Sequence, residues 1–204
     1  MIRLYRFPYS TNVERVTLAL AFKQLEVESI WVDPGNRSPV ERISGQPLVP
    51  VLEDDGDVVV DSTLILGYLE ERYPDPPLYP RAEAPRAELE LYVDWFNRVA
   101  KRPPNEIEAE LSRNRPDGER VEALGAEMRA NLDRHEALLA GREYLLGDSF
   151  SAADCIAFPF LKYALGRDSE DDELFHGILS DYQGVEGRPR LEAWIGRVDA
   201  RPRA

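Results

Sequence analysis

The chain has 204 residues, 43% of them apolar and 31% charged, an ordinary balance for a protein with a packed core. Acidic residues exceed basic ones by 38 to 25, and the net charge of -13 repels nucleic-acid backbones and anionic lipids, so neither is expected as a partner. One cysteine, Cys155, excludes an internal disulfide and any Cys-x-x-Cys site, and the two histidines, His135 and His176, are not spaced as metal ligands.

Along the chain, Ile2 to Arg6 is a short β-prone run that Pro8 ends. Arg3 and Arg6 stand where a secretion signal would carry its apolar stretch, and no apolar run approaches the roughly 20 residues of a membrane span, so a cytoplasmic location is expected. From Asn12 to Lys23 apolar residues recur at helical spacing. Val27 to Val32 predicts a second strand and Val49 to Leu52 a third; between them lies a loop with room for a helical turn. Asp54-Asp55-Gly56-Asp57 predicts a hairpin turn into Val58 to Val60, and Ser62 to Tyr73 a helix. This β-α-β, β-β-α order implies a mixed sheet covered by helices over residues 1–75.

Residues 76–85, with Pro76, Pro77, Pro80 and Pro85, predict a stiff connector. Beyond it, residues 86–204 carry helical periodicity over Glu83 to Arg102, Arg120 to Ala140, Ala152 to Leu165 and Arg190 to Ala200, which predicts an all-helical domain. The acidic stretch Asp168 to Glu173 reads as a solvated loop or helix start, both histidines as surface or packing residues, and Cys155 as a small buried apolar residue.

Two places suggest chemistry. Ser10-Thr11-Asn12 lies between the first strand and the first helix, where first-turn N–H groups and the helix dipole favour an anion. Thr11 and Glu14 have capping-box spacing, which would make Thr11 the cap and leave Ser10 outside the helix to face a ligand. With no base and no nucleophile-elbow turn beside it, Ser10 suits hydrogen-bond donation better than attack. The second place is Val49-Pro50, where a cis bond would leave the Val49 backbone open to a peptide-like ligand, together with Asp61-Ser62 at the next helix start.

The segments YRFPYSTNVERVTLALAFKQLEVE and PLVPVLEDDGDVVVDSTLILGYLEERYPDPPLYP resemble the thioredoxin-like domain of cytosolic glutathione transferases. Leu146 to Asp154 resembles the same family's folding motif, with Ser151 capping, Asp154 reaching back and Phe150 stapling onto Cys155. The resemblance implies an N-terminal thioredoxin-like α/β domain, an α-helical bundle after it, glutathione as co-substrate without a metal, and a homodimer. It also implies a reaction: the glutathione thiolate attacks a small hydrophobic electrophile. Ser10, placed before Arg15-Val16, becomes the thiolate donor; tyrosine-type classes are the competing case, in which Tyr5 and Tyr9 flank the site but Arg6 stands at the place of the catalytic tyrosine, so Tyr9 ranks a distant second donor. Val49, Pro50, Asp61 and Ser62 are then expected on glutathione, with Arg37 or Arg42 near its glycine carboxylate. Leu48 stands where many relatives carry Gln or Lys and offers no such bond. Tyr9, Asn12, Tyr92, Trp95, Phe96 and Arg102 are the expected electrophile-pocket residues. The competing expectation is a non-enzymatic binding or scaffold protein that kept the fold; a disulfide reductase would need a cysteine at the site.

Overall fold

The computed structural model describes residues 1–204, which divide into two compact units: Met1–Arg81 with Arg201–Ala204, and Ala82–Ala200. The first unit is a four-stranded sheet in the order β2-β1-β3-β4, formed by β1 (Ile2–Arg6), β2 (Val27–Trp31), β3 (Val51–Asp54) and β4 (Asp57–Val60). β1 runs parallel to β2, as a helical crossover through α1 (Thr11–Phe22) requires, and antiparallel to β3. Asp55 and Gly56 both adopt positive φ (49° and 99°), the two-residue turn whose twist matches an antiparallel ribbon. The helical turn expected in the loop before β3 is a short helix, α2 (Ser38–Ser44).

One face of the sheet is covered by α1 and α3 (Ser62–Arg72). Leu4 and Leu52 pair across β1 and β3, and both are fully buried with Val16, Leu20, Ile65 and Leu69. Burying each such side chain contributes about 1.5–3 kcal/mol. Lys23 is buried and fully satisfied: its Nζ donates to Glu70 (2.8 Å) and to the carbonyls of Tyr73 (2.7 Å) and Pro76 (3.0 Å). Glu70 also accepts the Leu78 and Tyr79 amides, so one buried ion pair ties the proline-rich segment to this unit. The last four residues, placed with the helical region by sequence, belong to the first unit as well: Ala204 N–H donates to Thr17 O, Arg6 Nη1 to Ala204 O (2.8 Å), and Arg203 Nη2 to Glu14 (3.0 Å).

The second unit is helical: α4 (Glu83–Trp95), α5 (Arg102–Leu111), α6 (Gly118–Leu138), α7 (Ala152–Leu161), α8 (Leu174–Asp181) and α9 (Pro189–Asp199). A single wider turn, Phe96–Ala100, joins α4 to α5, with Lys101 N–H reaching back to Phe96 O. α5 falls outside the stretches whose periodicity predicts a helix; Pro103 and Pro104 sit in its first turn, where missing N–H groups cost little. α7 is the centre: all ten of its residues are buried. Its Asp154 accepts Ser151 N–H (2.9 Å), Ser151 Oγ–H (3.0 Å), Leu145 N–H (3.1 Å) and Trp194 Nε1–H (2.8 Å). Burial pushes this carboxyl above the usual carboxylate range, against the pull of those four donors.

The acidic stretch is not wholly solvated. Asp171 is buried and holds His176 Nδ1 at 2.8 Å, with Tyr163 stacked on that ring, because α8 turns back over the segment. Cys155 is buried and reduced. No helix is long and apolar enough to cross a membrane.

Candidate active site

The strand register decides which residues share one end of the sheet. Tyr5 and Arg6 close β1, Val51 opens β3 opposite Tyr5, and Val60 closes β4 opposite Val51. The segments that follow β1, precede β3 and follow β4 therefore leave from the same edge. Ser10, Val49-Pro50 and Asp61-Ser62 lie on those three segments.

At the first, Tyr9 has φ 60° and its side chain is 53% exposed. Ser10 follows in an extended conformation and is the residue that caps α1: its Oγ accepts the Val13 N–H at 3.3 Å and its carbonyl accepts the Glu14 N–H at 3.0 Å. This corrects the expectation for Thr11. Thr11 is already the first helical residue and is buried, and Glu14 receives Arg203. Ser10 is nevertheless half-buried rather than enclosed. A hydroxyl has two acceptor positions and one donor. The Val13 amide takes an acceptor position, and Ser10 donates its proton to no group of the chain. Asn12, one turn-position further on, is partly buried.

At the second segment the Val49–Pro50 bond is cis. Val49 precedes the ladder, which begins at Val51, and neither its N–H nor its C=O is engaged by the turns around it. Leu48 is held by its backbone alone: Gln46 Oε1 accepts its N–H (2.6 Å) and Gln46 Nε2 donates to its carbonyl (2.9 Å), which leaves the leucine side chain 62% exposed. Gln46 was not singled out in the sequence, and nothing in its local pattern marks it.

At the third segment Asp61 adopts φ 72°, ψ 125°, a left-handed conformation uncommon outside glycine. Its carboxylate accepts the Thr63 (2.8 Å) and Leu64 (3.2 Å) amides, so Asp61 caps α3. Ser62 is buried, and its Oγ accepts from Arg15 Nη1 at 3.3 Å.

The residues expected around an electrophile are not all lining residues. Tyr92 and Phe96 lie in the core of the helical unit. The Tyr92 hydroxyl stands 2.8 Å from His135 Nε2, and His135 Nδ1 stands 2.7 Å from Asn131 O. Trp95, partly buried, completes that aromatic cluster. Burial pushes His135 down to about 4, so it is neutral near pH 7, with Nδ1–H donated to the carbonyl and Nε2 accepting from Tyr92. Arg102 is on the surface, paired with Glu106 and Glu127. A cavity of about 20 Å³ within this unit is bordered by Phe96, Lys101, His135, Phe160 and Gln183, and of the six expected residues only Phe96 reaches it. Arg37 lies over the Phe7 ring, 5.3 Å from its centroid.

Residues 4–77 match the family model of the glutathione S-transferase N-terminal domain, and residues 118–197 that of the C-terminal domain. Among curated proteins, the chain is 29% identical to glutathione S-transferase GstB of Escherichia coli over 99% of this chain and 95% of that protein. It is 28% identical to protein LigF of a Sphingobium strain, over 98% and 90%. Among solved structures, a glutathione S-transferase from Rhodospirillum rubrum aligns with a TM-score of 0.76 at 29% identity, covering 99% of this chain and 89% of that one. The beta-etherase LigF aligns with a TM-score of 0.82 at 25% identity, over 98% and 96%. With both domain models matched in order and full-length relatives on either side of them, this chain belongs to the cytosolic glutathione transferase family.

Proposed function

We propose that the protein binds glutathione at the sheet end carrying Ser10 and conjugates it to a small hydrophobic electrophile. One observation carries this reading: the half-buried Ser10 hydroxyl accepts its capping bond from Val13 and keeps its proton for an outside acceptor, at the positive end of α1. A free thiol titrates near 8.5, so only a few per cent is thiolate at neutral pH. A hydroxyl proton and a helix N-terminus directed at the sulfur favour its anion. The thiol proton passes to solvent, the sulfur lone pair forms the new bond to the electrophilic carbon, and a leaving group, where there is one, departs with its electron pair.

In this reading Val49 pairs its unengaged N–H and C=O with the cysteine unit of glutathione, and Asp61 and Ser62 hold the γ-glutamyl end. Tyr9 stays the second donor candidate, and Tyr9 and Asn12 border the electrophile. A homodimer and a cytoplasmic location are carried forward as properties typical of the family. The test is retention on immobilised glutathione followed by turnover of a generic aromatic electrophile, with aryl ethers added because one neighbour is named a beta-etherase. No binding at millimolar glutathione overturns the reading. A second reading, a non-enzymatic glutathione-binding or scaffold protein, is favoured by the exposed Leu48 side chain, which supplies no polar group; binding without turnover across the electrophile panel would select it.

A further inference from the structure

We propose that Arg15 is a positioning residue for the glutathione carboxylate, acting through Ser62 without touching the ligand. The inference rests on the glutathione reading above and adds a residue to it.

Arg15 projects from α1 toward the start of α3, and its side chain is 1% exposed. Its Nη1 donates to Ser62 Oγ at 3.3 Å. A guanidinium has donors only, so Ser62 cannot return a bond to it. The bond fills an acceptor position of the hydroxyl from the inner side and turns the hydroxyl proton away from Arg15. That proton is donated to no group of the chain, although Ser62 is itself 3% exposed. A buried donor without an acceptor is uncommon in a native fold and points to an acceptor that arrives from outside.

The neighbouring groups say what arrives. Asp61 already occupies the Thr63 and Leu64 amides, and the hydroxyl and backbone amide of Ser62 lie side by side just before them. Two donors side by side at a helix N-terminus suit a carboxylate. Arg15 polarises the hydroxyl from behind, in a buried setting where such coupling is stronger than in water. The chain of donation runs from the Arg15 guanidinium to Ser62 Oγ–H and on to the carboxylate.

Such a relay acts on binding and leaves the thiolate alone. The test is a double-mutant cycle of Arg15→Gln and Ser62→Ala, read by calorimetric titration with glutathione and by turnover at saturating glutathione. Each single variant is expected to weaken glutathione about tenfold, the worth of one charge-assisted hydrogen bond. The double variant is expected to lose about the same tenfold rather than a hundredfold, because both substitutions cut one chain. For Arg15→Gln, whose side chain does not touch the ligand, turnover at saturating glutathione and its pH profile stay within about twofold of wild type, since the sulfur site is untouched. Arg15→Lys, which keeps a donor and a charge, recovers part of the affinity and serves if Arg15→Gln does not fold. Multiplicative losses, or an Arg15→Gln effect that also lowers saturated turnover, overturn the proposal while leaving the glutathione site standing. A wild-type protein that binds no glutathione removes both.

Discussion

Two helix starts in this molecule begin with the same residue and end in opposite situations. At α7, Ser151 gives its hydroxyl proton to Asp154, Asp154 accepts three further bonds, and every residue of the motif is buried. At α1, Ser10 accepts one bond from Val13 and gives its proton to nothing in the chain. The cap chemistry is shared. What differs is whether the hydroxyl proton is used up inside the fold, and that separates an anchor from a candidate site.

The contrast can be broken from its buried side first. Asp154→Ala removes the acceptor of four buried donors, two of them side-chain groups, and is expected to cost about 4 kcal/mol, well beyond a simple cap. Chemical denaturation checks it, and a loss under about 1 kcal/mol would mean that the motif is not an anchor. The next effect lies in the same unit. The pKa of His135 falls from about 6.5 in the unfolded chain to about 4 in the fold, so between those pH values the unfolded state binds the extra proton. Stability from this residue is fully present above pH 6.5 and is lost as pH falls toward 4, by about 3 kcal/mol at most. Comparing the pH dependence of stability for wild type and His135→Gln isolates it, and identical slopes in that window would refute it.

On the open side, Ser10→Ala is expected to lower turnover about a hundredfold, near the cost of removing one oriented donor from a reacting anion. Its effect on stability is expected at about 1 kcal/mol, that of a lost cap. Unfolding with normal turnover in the surviving protein would put Ser10 on the anchor side. Thr11→Ala should change stability by under about 0.5 kcal/mol, because Thr11 is inside the helix rather than its cap; a cost near 1 kcal/mol would restore Thr11 as the capping residue.

The order of elements in the first unit was readable because each alternation of period ends in a marked turn. Pro8, Asp55-Gly56 and Asp61 punctuate it, and the hairpin turn formed where Asp-Gly predicts it. The exact cap at α1 was not readable: Ser10, Thr11 and Asn12 all cap well, and the choice was made by the positive φ of Tyr9, which leaves Ser10 extended and starts the helix at Thr11. In the second unit, α5 hid behind Pro103-Pro104 and α8 behind its acidic approach, since short helices carry little periodicity. Tyr92 and Phe96 face inward because His135, a polar residue in an apolar stripe, is made acceptable by its two buried partners. That pairing is a tertiary fact with no local signature, and so is the approach of Arg15 to Ser62, 47 positions apart.

The tail formed by Arg201–Ala204 has a consequence for synthesis. Its bonds to Glu14, Thr17 and Arg6 strap the helix that carries Ser10 and the strand leading to it. The ribosome delivers these four residues after the rest of both units. Domains generally fold as they emerge, yet this one cannot close its last contacts until the whole helical unit has been made. A nascent chain stalled after Arg81 would hold the sheet, both covering helices and Ser10, but α1 would still lack its clasp.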